Sequence, residues 1–132
     1  MATQFFNPSD IHRPRGYTHV VAVDNGRLLF VAGQVAFDKE GNLVGKGDLR
    51  MQTEKAMENL VAALAAAGAT PADVIKVNTY VVNYRPADYP IISEARARIF
   101  EEQNPPASTL IGVQALAVEE LLIEIEAIAV VK

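Results

Sequence analysis

Apolar residues recur with a helical period between Asp48 and Ala67. Met57, Leu60, Val61 and Leu64 fall at i, i+3, i+4 and i+7, while Arg50, Glu54, Lys55 and Glu58 populate the other face. Asp48 reads as the N-cap and Gly68 as the residue just past the C-terminus. A second helical stripe, Ile92, Ala95 and Ile99, follows Asp88, which reads as its N-cap, and ends before Asn104-Pro105-Pro106. Glu94 and Arg98 form a supporting i,i+4 pair on its polar face, to which Arg96 is also assigned. The remaining pattern is β-like. Tyr17–Val23 and Arg27–Val35 flank Asp24-Asn25-Gly26, a hairpin turn signal, and Leu43-Val44 reads as a short strand. Asp73–Asn83, Ser108–Leu116 and Leu122–Val131 are rich in β-branched residues. In the last of these, Ile123, Ile125, Ala127 and Ala129 face one side, and Glu124, Glu126, Ile128 and Val130 the other. Met1–Gly16 lacks a period and is expected to be irregular. The order β-β-(β)-α-β-α-β-β predicts an α+β two-layer sandwich: a mixed sheet of five to six strands with two helices on one face, in a single domain over residues 1–132.

Composition narrows the chemistry. With no Cys, there is no disulfide, thiolate metal site or Cys nucleophile, and the two His cannot build a three-His zinc centre. No dinucleotide or phosphate-loop motif occurs. The net charge is −4, and Lys and Arg are scattered without aromatic interleaving, so nucleic acid is an unlikely partner. No run approaches the roughly 18 apolar residues of a membrane span, and Met1–Pro14 is polar, which makes a soluble cytoplasmic protein the default expectation. Hydrophobic residues nevertheless reach 50%. That excess implies either a large core or a surface covered by a partner.

Several short motifs resemble the RidA/YjgF family in order and spacing. They are Gly16-Tyr17, Val31-Ala32-Gly33-Gln34, Gln52 through Asn59-Leu60, Ala67-Gly68, Asp73-Val74-Ile75-Lys76, Pro106-Ala107 and Ile123-Glu124-Ile125-Glu126-Ala127-Ile128-Ala129. The resemblance covers about residues 6 to 131 and implies a chorismate-mutase-like fold. It also implies a homotrimer with inward-facing sheets and small-molecule clefts between subunits, where Ile128 and Val130 would be covered by neighbouring chains. The implied activity is cofactor-free hydrolysis of reactive enamines and imines made from amino acids, giving a 2-oxo acid and ammonia. Older family labels include translation inhibitor and endoribonuclease.

By resemblance, Glu124 is the carboxylate that positions or activates water. Tyr17, Ala32, Gly33, Gln34, Ser93, Ser108 and Thr109 line the ligand cleft. The family signature Pro-Ala-Arg-Ser/Thr reads Pro106-Ala107-Ser108-Thr109 here, so Ser108 replaces the Arg that holds the substrate carboxylate. Two other departures are Ala32, where active members often carry Ser, and Ser93, where some carry Asn. Arg13 or Arg15 is a candidate replacement for the missing guanidinium. The readings that follow are an imine or enamine hydrolase of altered substrate range, a non-catalytic trimeric metabolite-binding protein and, least supported, an endoribonuclease.

Overall fold

The computed structural model describes residues 3–132. Six strands and two α-helices appear in the order β1 (Thr3–Phe6), β2 (Val20–Val23), β3 (Arg27–Gln34), α1 (Leu49–Ala66), β4 (Val74–Val82), α2 (Tyr89–Ile99), β5 (Ala107–Val113) and β6 (Ile123–Val131). Four strands form a mixed sheet in the order β3-β6-β4-β5; β4 and β5 run parallel through the α2 crossover, and the other neighbours are antiparallel. Both helices pack on this sheet, giving the expected α+β architecture.

The helical stripe forms because its apolar positions meet the apolar face of β4 and β6. Ala56, Met57, Leu60 and Leu64 of α1 and Ile92 and Ala95 of α2 pack on Val77, Val81, Ile123, Ile125, Ala127 and Ala129. Asp48 caps α1 by accepting from the Met51 amide at 3.0 Å, and Gly68, at φ +78°, stands just past its end. Two buried or half-buried polar residues of α1 pin the loops around the sheet. Gln52 accepts from Leu122 N and donates to Gly45 O and Glu120 O. Asn59 donates to Val35 O and Phe37 O at 2.8 and 2.9 Å, fixing the chain immediately after β3.

Five expectations are corrected. The chain bends at Asp24–Gly26, with Gly26 at φ +130°, but the expected hairpin does not form: Asn25 keeps a negative φ, β3 pairs with β6 and β2 pairs with β1. The partner of β2 is Thr3–Phe6, inside the stretch expected to be irregular, of which Met1 and Ala2 lie outside the described residues. Asp88 begins α2 without capping it: its carboxylate accepts from Arg85 N at 2.9 Å and closes the preceding 3-10 turn. Val130 is buried by its own chain beside the bend at Gly26, where a glycine leaves room for it. The Leu43-Val44 strand reduces to a single bridge between Leu43 and Phe37.

The sheet face away from the helices retains apolar side chains in the open. Phe30 is 75% exposed, Leu28 55% and Ile111 46%. Part of the high hydrophobic content therefore lies on the surface of the single chain. No helix among the described residues is long and apolar enough to cross a membrane.

Candidate functional site

Apart from Thr109, the expected site residues gather in two groups. The first surrounds a β-bulge in β3. Val31 pairs with Ala127 and Gln34 with Ile125, so one extra residue of β3 is accommodated at Ala32-Gly33. Gln34 Nε2 donates to Ala32 O across the bulge at 3.1 Å. The Glu124 side chain lies against Gly33: a Cβ built there would overlap Glu124 Oε2 and stand 2.7 Å from Glu124 Cγ. Gly33 is therefore small because the carboxylate occupies the space a side chain would need.

Two carboxylates project from β6 on this face, and their surroundings distinguish them. Glu126 accepts from Tyr80 Oη at 2.7 Å and from Asn78 Nδ2 at 3.1 Å. Glu124 stands opposite Tyr80 in register and accepts no hydrogen bond from the described residues. The hydrogen bond to Glu126 raises the Tyr80 phenol above its ordinary pKa, with burial and the charges of Glu126 and Glu124 acting in the same direction. Tyr80 thus remains a donor committed to Glu126. Glu124 is half-buried and keeps its carboxylate without a hydrogen-bond partner among the described residues.

The second group lies where α2 meets the start of β5. Thr18 is buried and donates from its backbone to Pro106 O at 3.2 Å and from its hydroxyl to Pro105 O at 2.5 Å. These bonds hold Gly16 and Tyr17 against the turn that enters β5. Tyr17 shares a 2.6 Å hydrogen bond with His12 Nε2, and His19 Nε2 donates to His12 O at 2.8 Å. Tyr17 and Arg13 line a cavity of about 550 Å³. Ser93 and Gly16 line an adjoining cavity of about 370 Å³.

Ser108 and Thr109, being consecutive on a strand, point to opposite faces. Ser108 is in register with core Val77 and faces α2; Thr109 is in register with Asn78 on the open face and accepts from Lys76 Nζ at 2.7 Å. Facing Ser108 is Arg96, which the polar-face reading of α2 missed. Arg96 is only 7% exposed, and its guanidinium donates to Tyr89 Oη at 3.0 Å and Ser108 Oγ at 3.4 Å. A sequence signal existed: Ile92, Ala95, Arg96 and Ile99 fall at i, i+3, i+4 and i+7, so Arg96 occupies a stripe position. Arg98, by contrast, is the exposed residue expected, paired with Glu94 and Glu54 at 3.0 Å each. Arg13 and Arg15 are exposed, and among the described residues neither hydrogen-bonds Ser108, whose recorded partner is Arg96.

The bulge group and the α2 group share none of these contacts. Among the described residues no cluster of three or more His, Asp or Glu could hold a metal ion.

Known proteins share this fold. A protein of the conserved Rid family, YyfB from Yersinia pestis, superposes with a TM-score of 0.93 at 46% identity, covering 99% of this chain and 100% of that one. A RutC family protein of Pyrococcus horikoshii is 40% identical over 108 residues, 82% of each chain. A protein of Dermatophagoides farinae named 2-iminobutanoate/2-iminopropanoate deaminase is 32% identical over 111 residues, 84% of each. The family model described as Endoribonuclease L-PSP matches residues 10–131, so the chain belongs to that family, the RidA/YjgF family its motifs resemble.

Proposed function

We propose that the chain is a cofactor-free hydrolase of small imines, or of the enamines that tautomerise to them. Water adds across the C=N bond, the C–N bond then breaks, and a carbonyl compound and ammonia leave. Glu124 takes a proton from the attacking water and returns it to the departing nitrogen. The observation that carries this reading is the contrast between the two β6 carboxylates: Glu126 is held by Tyr80 and Asn78, while Glu124 rests on Gly33 with no partner among the described residues. The imine deaminase name of a relative supplies the reaction class. The endoribonuclease in the family description has less support, since a net charge of −4 with dispersed Lys and Arg builds no track for a phosphate backbone.

The test generates 2-aminoacrylate from serine with a dehydratase and times keto-acid release. The protein is expected to accelerate release, and Glu124→Gln to lower that acceleration on the order of a hundredfold. Equal rates with and without protein would overturn the hydrolase and favour a metabolite-binding role, which the substitution of Arg by Ser108 makes the second reading.

The same proposal includes a homotrimer with ligand clefts between subunits. It would bring the bulge group of one chain to the α2 group of the next and cover Phe30, Leu28 and Ile111, which the single chain leaves exposed. Sedimentation is expected to give three times the monomer mass, and Phe30→Glu to shift the protein toward monomer. A monomeric wild type would overturn this assembly.

A further inference from the structure

Arg96 is a buried cation without a counter-ion. At 7% exposure it has no carboxylate within ion-pair distance among the described residues, although the neighbouring Arg98 has two. Its identified acceptors are neutral: the hydroxyls of Tyr89 and Ser108. The Tyr89 ring lies 5.8 Å from its central carbon. A guanidinium carries more donors than two hydroxyls consume. The surroundings also leave room for it. Gly16 holds φ +77°, and a Cβ there would come to 3.0 Å from Arg96 Nη2. The cavity of about 370 Å³ that Arg96 lines is bounded by Gly16, Ser93, Phe100 and Pro105, with exposed Glu101 and Glu102 at its margin.

An unpaired buried charge is costly, and an anionic ligand accepting from the guanidinium would relieve that cost. We propose that Arg96 is a substrate-binding residue that holds a carboxylate from helix α2, with Ser93 and Ser108 as hydroxyl neighbours. The guanidinium thus reaches Ser108 from the helix facing it. Glu101 and Glu102 repel a second negative charge, so the cavity takes a monocarboxylate in preference to a dicarboxylate. This inference rests on the imine-hydrolase reading for the identity of its ligand, a 2-imino acid or the 2-oxo acid it yields.

The test measures binding of 2-oxobutanoate, with butan-2-one as the analogue lacking a carboxylate and 2-oxoglutarate as the dicarboxylate. Wild type is expected to bind 2-oxobutanoate at least tenfold more tightly than either. Arg96→Gln is expected to abolish the preference over butan-2-one, and Arg96→Lys to retain part of it because a point charge replaces the planar fork. Should Arg96→Gln fail to fold, the Arg96 side-chain N–H resonance of wild type, assigned by its loss in Arg96→Lys, provides the readout and is expected to shift on titration. The proposal is overturned if wild type does not bind 2-oxobutanoate, if that resonance stays fixed during binding, or if folded Arg96→Gln binds within twofold of wild type. A preference for 2-oxoglutarate overturns the role of Glu101 and Glu102. Imine hydrolysis with an unchanged KM in Arg96→Lys would remove this subsite and leave the hydrolase standing. Arg96-dependent binding without hydrolysis would do the reverse.

Discussion

Gly33→Ala is expected to lower imine hydrolysis about a hundredfold while leaving a folded protein. The added methyl cannot coexist with the present Glu124 side chain, because it would overlap Oε2 and stand 2.7 Å from Cγ. Glu124 is half-buried, so its side chain can swing away into solvent. The substitution therefore displaces the carboxylate more than it strains the core, and the stability loss should stay within about 1–3 kcal/mol. A displacement near 1 Å at a reacting group is enough to cost about two orders of magnitude.

A double-mutant cycle separates this mechanism from general damage. Glu124→Ala alone should lose about as much activity as Gly33→Ala, and the double variant should lose no more than either. If the two losses multiply, Gly33 contributes by some route other than seating Glu124. If Gly33→Ala keeps wild-type turnover, the position of Glu124 on the bulge does not matter for the reaction, and the proposed role of that carboxylate fails with it.

The contrast between Gly33 and Arg96 shows what the amino-acid pattern could and could not convey. Periodicity locates α1, β4 and β6 closely, since each has one face fully committed to the core. Leu60 and Leu64 against Ile123 and Ile125 leave little freedom in register. A glycine inside a strand signals a bulge or a close approach, but the residue that approaches Gly33 lies on a strand about ninety positions later. Local pattern also failed at the N-terminus. Val20–Val23 has turn residues toward β3, yet Thr3–Phe6 captures it, a pairing that depends on competition between distant segments. Arg96 was hidden for another reason. Charge alone assigned it to solvent, whereas its position in the apolar stripe of α2 carried the opposite information. Its hydrogen bonds to Tyr89 and Ser108 make that burial tenable, and Ser108 belongs to a strand that no helical period can reveal.

The same geometry determines the outcome of restoring Arg at position 108. From the motif alone, Ser108→Arg should repair a carboxylate anchor. In this fold it is expected to destabilise the protein by an amount on the order of 3 kcal/mol. Ser108 faces α2 in register with core Val77, and its hydroxyl is 3.4 Å from Arg96 Nη1. A longer side chain there enters occupied space and brings a second guanidinium beside one that already lacks a carboxylate partner. Removing the resident guanidinium relieves both conflicts. Ser108→Arg combined with Arg96→Ala should therefore be more stable than Ser108→Arg alone, with a favourable coupling of about 1–3 kcal/mol, read from urea denaturation of the four proteins in the cycle. Arg96→Ala in the wild-type background should lose stability, since it empties a packed position and leaves Tyr89 and Ser108 without their donor. The sign of the coupling decides the matter. If Ser108→Arg is as stable as wild type and gains nothing from Arg96→Ala, the two positions do not compete for one volume, and Arg96 is not standing in for an arginine at 108. If the double variant recovers stability together with tight 2-oxobutanoate binding, one carboxylate subsite can be served from either α2 or β5.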